Sequence, residues 1–234
     1  MSVSNLINHS LLRVLSIVLL ATFASPILNA SDYEVTLSDK APPAGLGESI
    51  QDELAHKAIL VLHKGKPMYE VWLRKSLLLK TTVSSPNRAL NAIAQTTLLG
   101  AIRITNDERD YRDDELYEGL YTIRFGLRPE DGNHLGTSEH LFFAVLIDSK
   151  YDQELGKIVK SKQLVKASSK TSANDHPMIL SLFPVASSSP TVPTVHEPAH
   201  QHQAVRLSLP AKNPDGSDAG SVVFDLVIEG MADF

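Results

Sequence analysis

Leu120-Tyr121-Thr122-Ile123-Arg124-Phe125-Gly126-Leu127-Arg128 sets the structural period of this chain. Tyr121, Ile123, Phe125 and Leu127 fall on one side of an extended ribbon, and Thr122, Arg124, Gly126 and Arg128 on the other. That is the alternation of a half-buried strand. Leu141 to Ile147 is apolar throughout and reads as a central strand covered on both faces. Ala58 to Leu62, Met68 to Arg74, Thr97 to Thr105, Met178 to Phe183, Val205 to Leu209 and Val222 to Glu229 repeat the same signal. Turn chemistry at Lys64-Gly65-Lys66-Pro67, Pro129 to Asn133 and Asn213-Pro214-Asp215-Gly216 separates them. The expected fold class is all-β, a sandwich of about eight mainly antiparallel strands.

One segment departs from period two. Ser149 and Asp152 make a capping-box-like start, and Tyr151, Leu155, Ile158, Val159 and Val165 recur near helical spacing. The spacing predicts one amphipathic helix over Lys150 to Lys166, packed on the sheet, with Lys157, Lys160, Lys162, Lys166 and Lys170 on a wet face. A shorter helix is predicted from Pro86 to Ala94, capped by Ser85. Ser187 to Pro193 reads as part of a Ser/Pro-rich surface loop at 185–195 within a single domain, 31–234.

Residues 1–30 carry Arg13, an apolar run from Val14 to Phe23, small residues toward Ala30 and no acid. This is the layout of a cleaved signal peptide, and the run is far short of the roughly 20 residues that span a bilayer. The expectation is export, with cleavage near Ala30, a periplasmic or extracellular location, and no membrane span in the mature chain. The sequence contains no cysteine, which removes disulfides, thiolate nucleophiles and Cys-type metal sites. Taking Arg13 from the 22 basic residues leaves 21 against 27 acidic ones, a formal charge of −6. Nucleic acid is a poor partner for that balance. Acids crowd residues 107–118 and read as a solvated face, with calcium ligation as the lesser alternative.

The strand and loop from Gly119 onward hold Gly119, Tyr121, Thr122, Arg124, Gly126, Pro129, Asp131, Gly132, Asn133, His134, Gly136 and Ser138 at fixed spacing. This segment resembles a group of exported bacterial proteins that share the pattern G-x-Y-T-x-R-x-G-x-x-P-x-D-G-N-H-x-G-x-S. The resemblance implies a bacterial exported protein and brings no activity with it. Read from the residues themselves, Gly126 marks a bulge or the close approach of another backbone. Asp131, Asn133, His134 and Ser138, with Arg124 and Arg128 at the surface, form a candidate ligand-binding loop held by the sheet. A turn that satisfies its own polar groups is the competing reading.

His196-Glu197-Pro198-Ala199-His200 spells the zinc-protease string H-E-x-x-H. That chemistry needs both imidazoles on one face of a helix, and Pro198 between them opposes a helix. Extended backbone would instead place His200 and His202 on one solvent face, in phase with Ala204 and Arg206. His196, His200 and His202 are therefore candidate ligands for zinc or copper, and a metal-binding protein or metal-dependent hydrolase is the alternative function. The nucleophile-elbow, P-loop and dinucleotide patterns are absent, so the residues point away from catalysis. The leading expectation is a non-enzymatic exported module that binds an envelope protein, a glycan or a small ligand, or serves a structural role.

Overall fold

A computed structural model describes residues 32–110, 113–129, 138–172, 176–198 and 202–230. The expected signal segment, 1–30, lies outside the described residues. The strands are β1 (Tyr33–Ser38), β2 (Leu54–His63), β3 (Lys66–Arg74), β4 (Leu77–Leu78), β5 (Leu98–Ile104), β6 (Glu108–Arg109) and β7 (Glu115–Leu116). They continue with β8 (Gly119–Leu127), β9 (Phe142–Asp148), β10 (Met178–Pro184), β11 (Thr194–His196), β12 (Gln203–Lys212) and β13 (Asp218–Glu229). The α-helices are α1 (Glu48–Gln51) and α2 (Ser161–Ser169).

The all-β expectation holds, and the eight segments that carry period two are strands. The sandwich of eight strands is not what the pairing gives: one sheet of eleven strands runs β1-β2-β3-β5-β8-β9-β10-β13-β12-β11, with β4 beside β12. A sandwich would divide this path, yet Leu182, Phe183 and Pro184 of β10 pair with Leu226, Asp225 and Phe224 of β13 and carry the ladder through. The sheet curls instead, because nearly every strand gives its inward residues to one common interior. Val61, Tyr69, Ile102, Phe125, Leu146, Leu180, Leu207 and Phe224 all belong to that core. The end strands β1 and β11 lie side by side, and the Tyr33 hydroxyl in the first strand donates to the Glu229 carboxylate in the last.

The strand read as central is covered on both faces. Phe142, Ala144 and Leu146 of β9 enter the interior, while Phe143, Val145 and Ile147 pack outward against Ile158 and Leu164 of the covering segment. Strand β8 is buried on both faces too, and not half-exposed as its alternation predicts. Gly126 marks no bulge. A Cβ there would meet Val145 Cγ2 at 2.6 Å, so glycine makes room for a neighbouring side chain.

The long helix predicted over 150–166 is corrected to a 3-10 turn, Ser149–Tyr151, followed by irregular chain and then α2. Asp152 is drawn inward to Arg124, and Gly156 weakens helix propensity in the middle of the stretch. The helix starts later because the Gln163 side chain accepts the amides of Val159 (3.1 Å) and Lys160 (3.0 Å). Val159 and Val165 are exposed, and Leu164 is the apolar anchor. All five lysines stand in solvent. The short helix expected after Ser85 is a 3-10 turn, Pro86–Ala92.

The two ends of the curl are closed by different chemistry. At one end Ala89, Leu90 and Ala92 of the 3-10 turn join Leu77 and Leu79 in the core as an apolar plug. At the other, the β6–β7 hairpin spans the connection from β5 to β8 and inserts Leu116. That hairpin comes from the acidic run, and the mouth beneath it is polar.

Candidate functional site at the mouth of the curled sheet

Three inward positions at this end are tyrosines: Tyr33 in β1, Tyr69 in β3 and Tyr121 in β8. Register places them near the same rim, since Tyr33 lies opposite His63 at the end of β2 and Tyr69 opposite Ile104 at the end of β5. The His63 ring stacks on Tyr33 with centroids 4.5 Å apart and planes 8° from parallel. Tyr121 donates to the Tyr117 carbonyl at 2.7 Å and so ties the rim to the hairpin.

Burial pushes all three phenols up. Tyr121 reaches about 12, with Asp148 and Asp107 adding to the effect. Tyr33 goes higher through burial and through its bond to Glu229. Complete burial pushes the Tyr69 hydroxyl well up, and the charges of Glu108, Asp110 and Glu229, with Tyr33, add to it. No described residue hydrogen-bonds that hydroxyl, although the side chain is 0% exposed. A buried unpaired hydroxyl costs about 1–3 kcal/mol and calls for a reason.

The carboxylates are crowded as well. Burial raises Glu108 above the ordinary carboxylate range and Glu229 raises it further, while His63 opposes them. Against the hairpin lies a cavity of about 230 Å³ lined by Arg109, Asp110, Asp113, Asp114, Glu115, Leu116, Tyr117, Ser172, His176, Pro177 and Met178. Arg109 is engaged by Asp113 at 2.9 Å and lies 3.8 Å from Glu115. Asp110 is common to both features, since it lines the cavity and bears on Tyr69. A concave space at the end of a curled sheet, beside titratable groups pushed from their usual values, has the physical marks of a binding site.

The sites named from sequence lie elsewhere. Asp131, Asn133 and His134 fall outside the described residues, as does His200. Ser138 is buried; its hydroxyl accepts from Ser181 Oγ at 3.3 Å and from the His140 amide at 3.2 Å. Its carbonyl accepts from Arg128 at 2.9 Å. Arg124 is not a surface group. With Asp152 it forms a buried pair, the two side chains 2% and 0% exposed. Nε donates to Oδ2 at 2.6 Å and Nη2 to Oδ1 at 2.9 Å, while Nη1 donates to the Thr96 carbonyl at 2.9 Å. Thr122 donates to Asp152 at 2.6 Å, and the Leu155 carbonyl accepts from Arg124 at 3.1 Å.

His196 ends strand β11 and Pro198 lies in a bend, so no protease helix begins there. Its Nε2 lies 2.9 Å from Asp225 Oδ1, and Arg206 grips the same carboxylate at 2.9 and 3.0 Å. His202 shares the outer face with Ala204 but is 3% exposed, not solvated as expected. It packs edge-on against Phe183 with centroids 5.6 Å apart, and His140 meets the same ring edge-on at 4.6 Å. The loop stem and the histidine tract thus converge on Phe183. Among the described residues, no three His, Asp or Glu side chains are grouped to hold a metal ion.

Sequence reasoning saw the acidic run and missed the mouth. Tyr33, Tyr69, Glu108 and Glu229 are scattered along the chain, and no spacing signal joins them before the sheet curls. Comparison with protein-family models found no match, and comparisons with curated proteins and with solved structures found none either.

Proposed function

We propose that this is an exported, non-catalytic recognition domain, released by cleavage near Ala30 and working in the periplasm or outside the cell. Its ligand is a small molecule held at the mouth of the curled sheet. The observation that carries the reading is the cavity of about 230 Å³ against the β6–β7 hairpin, at the end of the sheet where the Tyr69 hydroxyl is buried with no hydrogen-bond partner among the described residues. Buried charges elsewhere meet partners from the fold, as Asp225 does Arg206 and Asp152 does Arg124. The export half of the reading rests on the Arg13-to-Ala30 layout and on the resemblance of the Gly119-to-Ser138 segment to exported bacterial proteins.

Two measurements test the halves separately. Intact-mass analysis of the protein from fractionated cells should find a chain beginning near Ser31 outside the cytoplasm; a full-length cytoplasmic chain contradicts export. Saturation-transfer NMR over a mixed library of sugars, amino acids, short peptides and amines should detect a binder that Ser172→Trp, which fills the cavity, no longer holds. A library with no binder, or binders indifferent to Ser172→Trp, contradicts the site.

A further inference from the structure

A second concave space, of about 220 Å³, lies at the seam where the first strands of the sheet meet the last. One wall is formed by β1 to β3 and carries Leu37, Ile59 and Leu73; the other carries Pro193, ahead of β11, and Pro210 of β12. The seam is open because the neighbours of β12 are short. On its edge away from β13, β11 pairs with Ala204 to Arg206 and β4 with Ala211 and Lys212, and no described strand pairs with residues 207–210. Leu37 shows the consequence. It lies opposite Ile59 in register and so on the same face, yet Ile59 is 4% exposed within the core and Leu37 is 51% exposed. Tyr33 and Val35, at alternate positions of the same strand, do pack with the core, so the cover is lost only toward Leu37.

The charged part of the lining is all of one sign. Lys57, Arg74 and Lys75 reach the space, and no carboxylate among the described residues lines it. Glu53 holds Arg74 at 2.7 Å, which leaves the two lysines. Lys57 lies 4.0 Å from Asp39, too far for a hydrogen bond, and both side chains are exposed. Lys75 uses one of its three donors on the Asp52 carbonyl. Lys57 also stands two positions from Ile59 and lines the same space, so an apolar wall and a cationic rim adjoin.

An extended peptide added to the open edge fits poorly, since Pro193 and Pro210 have no N–H to give to a ladder. A phosphate would favour the guanidinium fork, which Glu53 already occupies. The volume is below the roughly 300–1,000 Å³ of drug-sized sites and calls for a compact ligand. We infer that the seam takes a short-chain carboxylate, its alkyl chain against Leu37, Ile59, Leu73 and Pro193 and its carboxylate at the Lys57 and Lys75 ammoniums. Tyr33 at the mouth lies four residues back along β1, about 13 Å away at the rise of a strand, so the two sites are separate.

NMR titration of the isotope-labelled protein with hexanoate tests this, with acetate, hexanol and hexylamine as comparison probes. Hexanoate should bind saturably and shift the amides of Leu37, Ile59 and Leu73. Acetate, which lacks the chain, and hexylamine, which reverses the charge, should not. Lys57→Gln should weaken hexanoate about two- to fivefold, as loss of an exposed charge contact does. Leu37→Ser, at a half-exposed position, should weaken it about three- to tenfold with thermal unfolding little changed. Ser172→Trp, which fills the cavity at the mouth, should leave hexanoate binding as it was. No saturable binding of hexanoate, equal binding of hexanol, or shifts confined to the mouth around Met178 overturns the inference. So does binding indifferent to both Lys57→Gln and Leu37→Ser.

Discussion

Two polar clusters of this molecule invite comparison. At Arg124 and Asp152 the guanidinium and carboxylate meet in a double hydrogen bond, and Thr122, the Thr96 carbonyl and the Leu155 carbonyl take up the remaining valences. At the mouth, Glu108 and Glu229 oppose each other, and the Tyr69 hydroxyl is buried without a partner. The first cluster holds the irregular 152–155 segment against the outer face of β8. The second ties β1 to β13 through Tyr33 and Glu229 but leaves the Tyr69 hydroxyl unmatched, and burial there is a cost. A buried charge whose partners come from its own fold serves the fold, whereas a polar group left unmatched in a concave site is matched by something from outside.

The largest effect expected from breaking this contrast is at the saturated pair. Asp152→Ala leaves the Arg124 charge buried and uncompensated, and urea unfolding should show a loss of about 3–5 kcal/mol. Replacing both partners with apolar residues, Arg124→Met with Asp152→Leu, should recover much of that loss, because the desolvation cost disappears with the charges. A double variant as unstable as the single one would mean that the pair contributes more than mutual neutralisation.

Tyr33→Phe removes the bond to Glu229 that ties the first strand to the last. The expected loss is about 0.5–1.5 kcal/mol by the same method. Hydrogen exchange should rise first in β1, which has one ladder partner and lies at the end of the sheet. An unchanged β1 would mean that the neighbouring β11 closes the curl unaided.

A smaller effect belongs to Glu108. Its carboxyl is raised in the folded protein by burial and by Glu229, so the folded state binds its proton more tightly than the unfolded state. Stability from this group is therefore fully present below the ordinary carboxylate range and falls as pH climbs through the raised value. Glu108→Gln should match the parent in acid and exceed it near neutrality. The residue is half-buried, so the gain is a few tenths of a kcal/mol. Thermal unfolding against pH reads it, and a variant less stable at neutral pH contradicts the repulsion.

The strands were legible because each alternation is local. Phe125 and Ile123 face inward as Leu120 to Arg128 implies, and the unbroken apolar run after Leu141 is covered on both sides. The single curled sheet was not legible, because whether β10 pairs with β13 or the sheet stops there is decided by segments far apart in sequence. Arg124 was misplaced for a related reason. A charged residue on the polar side of an alternating strand reads as solvated, and only Asp152, 28 positions later, shows otherwise. His202 likewise sits on the outer face that its phase with Ala204 demands, but Phe183 from another strand covers it. The mouth is the extreme case, since the Tyr33–Glu229 contact joins residues 196 positions apart.

The stability of Tyr69→Phe, measured by urea unfolding without added ligand, tests the contrast most directly. A hydroxyl that the fold leaves unpaired should be removable at no cost, with up to about 1 kcal/mol gained. A loss of about 1 kcal/mol or more, the signature of a satisfied buried hydrogen bond, would show that the mouth is as self-contained as the Arg124–Asp152 cluster and would contradict its assignment as a binding site.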